Sequence, residues 1–227
     1  MTICGVAGIG HLGKALTRQL EKAGVQVHTY HPNIQRSNKF AQMFTNVKAV
    51  NFSTLLEQPV VLLSLPAEKI KDFLERAERE ISANHESPIF VNLSTLVQTK
   101  ELQNQFSTLN VYGMKMIGHA DYLYANGDGV FLTETDLENE AFQKVRVLFE
   151  KVGSLYKDDE EVVKKINGLA VQRIIETCIS FEEETKDFPA VYSKKAMDTI
   201  FPNTMRLFRE GSFDGFMLKI IEDMKKK

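Results

Sequence analysis

The chain has 227 residues, a net charge of −2, 43% hydrophobic residues and 26% charged residues. A chain of this length can bury a core without support from disulfides or metals, and its balanced charge lacks the basic excess typical of nucleic-acid-binding proteins. The two cysteines, Cys4 and Cys178, fall in no spacing that suits a metal site. No apolar run approaches the about 18 residues of a membrane span, and the N-terminus does not resemble a secretory signal. We therefore expect a cytoplasmic protein without a resident metal, and neither nucleic acid nor membrane as a partner.

The first 30 residues combine strand and helix patterns in a regular order. Residues 2–8, TICGVAG, are small and apolar, as in a buried parallel strand. Apolar side chains then recur at helical spacing from Leu12 until Gly24 ends the run. Residues 25–30, VQVHTY, alternate as a second strand does. The order predicts a β-α-β unit with parallel strands.

A glycine-rich turn, GIGHLG, joins the first predicted strand to the helix. Gly8, Gly10 and Gly13 match the G-x-G-x-x-G spacing: the first glycine permits a tight turn, the second lets the backbone approach a pyrophosphate, and the third lets helix and strand pack closely. We therefore expect a dinucleotide at the helix N-terminus. The alternative is a glycine-rich turn without a ligand. The predicted cofactor contacts in this turn are Gly8, Ile9, Gly10, His11, Leu12 and Gly13.

The end of the second strand indicates which dinucleotide binds. An NAD site usually has Asp or Glu there, to hold the ribose 2′-hydroxyl, whereas this chain has Tyr30 and His31. Residues 22–56 contain no acidic residue, and Asn33 and Arg36 follow the strand as donors for a 2′-phosphate. The sequence therefore favours NADP over NAD, with contacts from Tyr30, His31, Asn33 and Arg36. The alternative for this segment is a solvated basic loop.

An alternation of strands and helices continues downstream. The predicted strands are 47–50, 59–66, 87–94 and 110–118, and the predicted helices are 40–44 and 67–81. In an open parallel sheet, ligands bind beyond the carboxyl ends of the strands. We therefore look for site residues at 64–66, which begin with Ser64, at 92–94 and at 115–119.

Four segments carry a resemblance to known proteins. They are GVAGIGHLGKAL, YHPN, VVLLSLPAE and VNLSTL. Together they resemble the N-terminal NADP-binding domain shared by pyrroline-5-carboxylate reductases and F420-dependent NADP reductases. The resemblance covers roughly residues 1–155 and is specific to the superfamily rather than to a substrate.

The resemblance adds expectations about the fold and the cofactor site. It implies a Rossmann-type, doubly wound, mostly parallel α/β sheet in residues 1–156. The residue pattern of 157–227 predicts that a small all-helical region follows this sheet. In relatives of this kind, the segments after LSLP and at NLS border the nicotinamide. The implied contacts are Leu65, Pro66, Asn92 and Ser94.

Two departures from related enzymes bear on activity. The chain lacks the small-residue motif, like S-G-S-G-P-A, of pyrroline-5-carboxylate reductases. Related hydroxyacid dehydrogenases have a lysine four residues before an asparagine at the start of a long helix, but here Val163 has that offset from Asn167, and Lys164 and Lys165 follow it. The resemblance therefore implies that the catalytic lysine is missing or displaced.

Candidates for catalysis come from residues 113–129, GMKMIGHADYLYANGDG, which we predict as a polar and aromatic loop level with the strand ends. Lys115 is a candidate for binding a substrate carboxylate or polarising a C=O or C=N bond. His119 is a candidate for donating the proton that accompanies hydride transfer. The alternatives are a solvated lysine and a capping histidine.

The last third of the chain predicts helices. Acidic residues at 158–161 suit a helix N-terminus, and a long helix with an apolar stripe is predicted from about Glu160 to Thr185. Two further amphipathic segments follow. Because so much apolar surface needs a partner, we expect a homodimer through the C-terminal helices; the alternative is a monomer whose helices fold back on the sheet.

Three functions are compatible with these patterns. The first is an NADP-dependent oxidoreductase that transfers a hydride between the nicotinamide and a small imine or carbonyl substrate, or F420 as a co-substrate. The second is a non-catalytic NADP-binding regulatory or sensor protein, which the absent lysine favours. The third is a structural dimerisation protein.

Overall fold

The computed structural model describes residues 2–81 and 87–226. Its strands are β1 (Ile3–Ala7), β2 (Gln26–Tyr30), β3 (Val47–Ala49), β4 (Val60–Leu63), β5 (Ile89–Asn92), β6 (Asn110–Gly113), β7 (Lys115–Ile117), β8 (Gly129–Thr133) and β9 (Gly153–Lys157). Its helices are α1 (His11–Lys22), α2 (Ile34–Ala41), α3 (Phe52–Leu56), α4 (Ala67–Glu80), α5 (Thr99–Gln105), α6 (Ala120–Asn126), α7 (Gln143–Phe149), α8 (Glu160–Glu184), α9 (Ala190–Glu210) and α10 (Gly215–Met224). Up to β9, strands and helices alternate except that β7 directly follows β6; from α8 onward there are only helices in the described residues.

β1 lies inside a six-stranded sheet with the order β3-β2-β1-β4-β5-β6. All neighbouring strands of this sheet are parallel. Ala7 of β1 lies opposite Tyr30 of β2 on one side and opposite Leu63 of β4 on the other. The strand order therefore reverses between β1 and β4, which opens a crevice at their carboxyl ends. The predicted doubly wound, Rossmann-type sheet followed by C-terminal helices is confirmed.

Both faces of this sheet are covered, so its inner strands are apolar without alternation. In β4, Val60 and Leu62 belong to one hydrophobic cluster, while Val61 and Leu63 belong to the other. Each of these four side chains is at most 2% exposed. Burial on both faces is the reason why the run VVLL predicts a central strand.

The predicted loop at residues 113–129 is wrong, because most of these residues form β7 and α6. β7 pairs antiparallel with β8, and β8 pairs parallel with β9, in a second, three-stranded sheet. α6 packs on α1, where the buried amide of Gln19 donates hydrogen bonds to the carbonyls of Leu123 (2.6 Å) and Tyr124 (3.0 Å). Of the polar residues that suggested a loop, Lys115 lies in β7 and is buried, His119 is the N-cap of α6, and Asp121 lies on the exposed face of α6.

Two other elements differ from the prediction for local reasons. Only residues 40 and 41 of the helix predicted at 40–44 are helical, as the end of α2. This helix begins earlier because the Asn33 carboxamide accepts a hydrogen bond from the backbone N–H of Arg36. The strand predicted at residues 110–118 is interrupted at Met114, between β6 and β7. The apolar pattern shows the strand but not the point where it changes sheets.

The chain divides into two compact units within α8. The first unit extends to Gly168, and the second begins at Leu169. The sequence places the boundary earlier, after residue 156. The first turns of α8 lie with the first unit because the side chain of Val163 is fully buried and that of Glu160 is 8% exposed.

The second unit comprises the rest of α8 with α9 and α10. Phe181 and Phe201 make an edge-to-face contact within it, with ring centroids 5.0 Å apart. None of residues 169–226 is buried. The exposed large apolar side chains of this unit are Leu169, Val171, Ile174, Ile175, Ile179, Phe188, Val191, Tyr192, Ile200, Met205, Phe208, Phe216, Leu218, Ile220 and Met224. Across the described residues, no helix combines the length and the apolar character that crossing a bilayer requires.

Replacing Gln19 by alanine should lower the free energy of unfolding by about 1–3 kcal/mol, because α1 loses two hydrogen bonds to the α6 carbonyls of Leu123 and Tyr124. Urea denaturation of the purified protein measures this change. Lys22→Ala, an exposed substitution at the end of the same helix, is the control and should change the free energy by less than about 0.5 kcal/mol. Equal effects of the two substitutions would contradict a structural role for the Gln19 amide.

Candidate nucleotide-binding site

The glycine turn is held tightly against the end of β4. Gly8 has a φ of +99°, which side-chain-bearing residues rarely adopt. A Cβ at Gly8 would overlap the carbonyl oxygen of Ser64, and a Cβ at Gly13 would overlap the carbonyl oxygen of Gly8. A Cβ at Gly10 would meet nothing within 4 Å. Two glycines therefore allow close packing inside the protein, and Gly10 leaves the backbone open to approach from outside.

Helix α1 presents an uncapped N-terminus at this turn. Gly10 occupies the N-cap position, no side chain caps the helix, and its first turn contains no acidic residue. The free N–H groups and the positive end of the helix dipole therefore remain available to an anion. This is the local arrangement that binds the pyrophosphate of dinucleotides.

A cleft of about 250 Å³ joins the glycine turn to the carboxyl ends of β4 and β5. We call it the edge cleft. Its lining residues are Gly10, His11, Leu12, Leu63, Ser64, Leu65, Pro66, Leu93 and Ser94. Seven of the predicted cofactor contacts therefore meet at one place, namely Gly10, His11, Leu12, Ser64, Leu65, Pro66 and Ser94.

A larger cavity, of about 810 Å³, lies at the other end of the sheet. Pro59, Pro88 and Asn110 line it, and these residues stand at the amino ends of β4, β5 and β6. Ligands of open parallel sheets bind at the carboxyl ends of the strands. The smaller edge cleft is therefore the candidate nucleotide-binding site.

The segment after β2 forms an ordered turn. The His31 ring accepts a hydrogen bond at Nδ1 from the backbone N–H of Asn33 (2.9 Å), and the Asn33 carboxamide accepts one from the N–H of Arg36 (3.0 Å). The side chains of His31 and Asn33 thus shape the turn. Arg36 is exposed, and within the described part of the chain no carboxylate pairs with its guanidinium. Arg36 is therefore the residue of this segment best placed to hold a phosphate.

Tyr30 differs from the other predicted contacts because its side chain lies in the core. Its ring meets Phe52 edge-on, with centroids 5.3 Å apart, and its hydroxyl accepts a hydrogen bond from Arg76 (3.2 Å). Its backbone carbonyl accepts a hydrogen bond from the N–H of Gly8 (3.2 Å). Tyr30 thus supports the glycine turn through its main chain.

Asn92 is fully buried and shapes the segment that follows β5. Its side-chain nitrogen donates hydrogen bonds to the carbonyl of Val97 (2.8 Å) and the hydroxyl of Thr99 (3.0 Å). Its side-chain oxygen accepts a hydrogen bond from the N–H of Ser94 (3.1 Å). Asn92 therefore acts on the edge cleft through Ser94.

Lys115 is 1% exposed and lies beneath the same segment. Its amine donates hydrogen bonds to the carbonyls of Asn92 (3.3 Å), Ser94 (2.6 Å) and Val97 (3.1 Å). The Glu160 carboxylate lies 3.4 Å from Nζ. Because an ammonium group has three hydrogens, these carbonyls leave none for a substrate.

Burial lowers the pKa of Lys115 from 10.5 to about 8, against the opposing effects of the Glu160 and Glu134 carboxylates. Desolvation of the ammonium outweighs its attraction to the two acids. Sequence reasoning missed Glu160, because nothing in the acidic run at residues 158–161 distinguishes a buried glutamate from its exposed neighbours.

His119 stands at the N-cap of α6, where its Nδ1 accepts a hydrogen bond from the N–H of Asp121 (3.3 Å). His119 is exposed and does not line the edge cleft. Nδ1 of His11 lies 3.1 Å from the carboxylate of the same Asp121, and this hydrogen bond lowers the pKa of the Asp121 carboxyl. Asp121 therefore ties the glycine turn to α6. No cluster of three or more His, Cys, Asp or Glu side chains within residues 2–81 and 87–226 is arranged for a metal ion.

The first turns of α8 contain Asn167 and the residues near it that the sequence comparison singled out. Asn167 donates a hydrogen bond to the carbonyl of Met116 (2.9 Å) and accepts one from the N–H of Gly118 (3.0 Å). Val163, four residues before Asn167, is fully buried. Lys164 is exposed and pairs with a neighbouring glutamate, Glu161, at 3.5 Å. An apolar side chain therefore occupies the position at which the resemblance to hydroxyacid dehydrogenases implies a lysine.

The segment that contains the glycine turn is similar to a known protein family. Residues 3–92 match a family described as NADP oxidoreductase coenzyme F420-dependent. They include β1 to β5 and the lining of the edge cleft up to Pro66. The predicted resemblance to an NADP-binding Rossmann domain of this superfamily is confirmed. No curated protein matches the chain.

Solved structures with a similar fold include three enzymes. Pyrroline carboxylate reductase from Plasmodium falciparum, with NADP bound, aligns over 92% of this chain and 79% of its own, with a TM-score of 0.64 and 13% identity. A 3-hydroxyisobutyrate dehydrogenase from Salmonella typhimurium aligns over 94% and 80%, with a TM-score of 0.67 and 16% identity. An imine reductase from Myxococcus stipitatus, in complex with NADP+, aligns over 92% and 75%, with a TM-score of 0.63 and 13% identity. At these identities the likeness shows a shared fold.

The lowered pKa of Lys115 predicts how this residue affects stability at alkaline pH. Between about pH 8 and pH 10.5 the unfolded chain keeps the Lys115 proton that the folded protein has released, so the stability contributed by this position should rise with pH in that window. Urea denaturation of the wild type and of Lys115→Met at several pH values measures the difference. Lys22→Met removes an exposed charge and serves as control. If the free energy of unfolding of the wild type falls relative to that of Lys115→Met as the pH rises, ion pairing rather than burial dominates.

Proposed function

We propose that this protein binds NADP at the edge cleft and transfers a hydride between the nicotinamide and a small imine or carbonyl substrate, or F420. The observation that carries the proposal is the meeting of the glycine turn with the ends of β4 and β5 at the switch point of the sheet. The matched family and the three enzymes are consistent with such a role, since each is described as an oxidoreductase, a reductase or a dehydrogenase.

The preference for NADP over NAD rests on Arg36. Arg36 is exposed in the first turn of α2, and the turn before the helix carries no carboxylate that would repel a 2′-phosphate. Glu21, the nearest acid before this segment in the sequence, accepts hydrogen bonds from the N–H groups of Thr45 and Asn46. Arg36 is therefore free to form charge-assisted hydrogen bonds with a phosphate.

Imines are the substrate class that the described residues favour. Hydride addition to a carbonyl produces an alkoxide that needs a proton, whereas a protonated imine becomes a neutral amine without a further proton. Val163 lacks a proton to give, and the Lys115 hydrogens are all engaged by carbonyls. Bound NADP would supply the hydride, and the edge cleft would orient the nicotinamide.

The same observations favour the second candidate function, an NADP-binding sensor without catalysis. Neither Lys115 nor His119 lines the edge cleft. A sensor would bind NADPH and show no turnover. Single-turnover assays of bound NADPH with cyclic imines, ketones and F420, followed at 340 nm, separate the two functions.

Arg36→Ala should weaken NADPH binding by about 10- to 100-fold, which corresponds to the loss of one or two charge-assisted hydrogen bonds. It should leave NADH binding nearly unchanged, because NADH has no 2′-phosphate. Nucleotide fluorescence titration measures both affinities. Lys39→Ala, a change of another exposed cation in α2, is the matched control. Wild-type protein that binds neither nucleotide would refute the proposed function.

We also propose that the protein is a homodimer through its second unit. A helical unit in which none of residues 169–226 is buried leaves its apolar side chains in water, and burying each such side chain is worth about 1.5–3 kcal/mol. Val171, Ile175 and Ile179 recur every four residues on α8 and are all more than half exposed. A second copy of the same unit would cover such a stripe symmetrically.

Ile175→Glu should convert the dimer to a monomer, because it places a charge in the middle of this stripe. Size-exclusion chromatography with light scattering measures the mass. Thr177→Glu adds the same charge at an exposed position on another side of α8 and should leave the dimer intact. Wild-type protein with the mass of a single chain would refute the dimer.

A further inference from the structure

We infer that Lys115 and Glu160 form a latch that positions the segment between β5 and α5, and with it Leu93 and Ser94 of the edge cleft. We call residues 93–98 the cleft loop. The latch itself follows from contacts within the first unit, whereas its effect on the nicotinamide half of the cofactor rests on the proposed function. Lys115 and Glu160 are thus positioning residues rather than groups that react.

The cleft loop wraps its backbone around the Lys115 amine. The Ser94 and Val97 carbonyls lie 2.6 Å and 3.1 Å from Nζ, and the Asn92 carbonyl just before the loop lies at 3.3 Å. Carbonyls that face a buried cation turn inward, so the opposite side of the loop faces the edge cleft. A charged donor holds several acceptors more strongly than a neutral one does.

Glu160 holds the far end of the cleft loop. Its carboxylate accepts hydrogen bonds from the hydroxyl (2.6 Å) and the N–H (3.2 Å) of Thr99, and it lies 3.4 Å from the Lys115 amine. The Thr99 hydroxyl in turn accepts a hydrogen bond from Asn92 (3.0 Å). Both ends of the loop are therefore fixed to one buried ion pair.

The surrounding residues are shaped to admit this pair. A Cβ at Gly113, at the end of β6, would overlap the Glu160 carboxylate. Glu134 is the further acid whose charge acts on Lys115, and its carboxylate accepts a hydrogen bond from the N–H of Glu160 (3.4 Å). A buried ion pair costs desolvation and contributes little net stability, so its value lies in fixing a geometry. Here that geometry belongs to a lining segment of the edge cleft.

Lys115→Met tests the latch by two readouts. Hydrogen exchange of peptides that cover residues 93–98 should accelerate by about tenfold or more, while exchange of the glycine turn, residues 8–13, stays unchanged. NADPH affinity should fall by about tenfold, because the loop must then be ordered on binding. Affinity for 2′,5′-ADP should change by less than about twofold, because this ligand lacks the nicotinamide half and does not need an ordered cleft loop.

Two further variants provide an independent test of the latch and a control for stability. Thr99→Val preserves the side-chain shape and removes the hydroxyl link between Asn92 and Glu160, so it tests the latch even if Lys115→Met does not fold. It should show the same pattern with smaller changes. Phe149→Leu, in the core of α7, is the control for a general loss of stability and should leave the ratio of the two affinities unchanged.

The outcomes separate the latch from the proposed function. Unchanged exchange in the cleft loop would overturn the latch, and so would equal losses of NADPH and 2′,5′-ADP affinity. If the wild type binds neither nucleotide, the proposed function is wrong, and accelerated exchange in residues 93–98 alone would still support the latch. Accelerated exchange with a selective loss of NADPH affinity would support both.

Discussion

The close approach of the glycine turn to the end of β4 is the constraint on which the candidate site depends. Gly8 adopts a positive φ and packs against the Ser64 carbonyl so closely that no side chain fits between them. This approach starts α1 directly above the switch point of the sheet. It also leaves the uncapped helix N-terminus facing the ends of β4 and β5, where an anion would bind. The fold and the site thus share one packing contact.

A buried cation organises the other side of the same cleft. Lys115 comes from β7, Asn92 from β5 and Glu160 from α8, so three distant parts of the sequence meet beneath one loop. Desolvation makes this arrangement expensive unless every hydrogen of the amine has an acceptor. The loop carbonyls meet that need, which explains why a lysine at the strand ends is not available to a substrate.

The two units differ in how much of their apolar side-chain surface they bury. The first unit buries apolar residues on both faces of its sheet and stands as a folded core. In the second unit, helices of ordinary amphipathic pattern leave their apolar residues exposed. The same helical spacing of apolar residues therefore gives a buried face in α4 and a mostly exposed face in α8. Association of the second unit with another surface would bury the apolar face of α8 as that of α4 is buried.

The sequence by itself determined the doubly wound sheet, the glycine turn and most of the residues that line the edge cleft, because short-range rules govern them: apolar runs make buried strands, and glycine spacing makes the turn. Tertiary structure decided the roles of Tyr30, Asn92, Lys115 and His119. Whether a polar side chain faces a ligand, a backbone carbonyl or the core depends on neighbours far away in the sequence. Glu160 shows the same limit, since only its meeting with Thr99 and Lys115 distinguishes it from the other acids of its run.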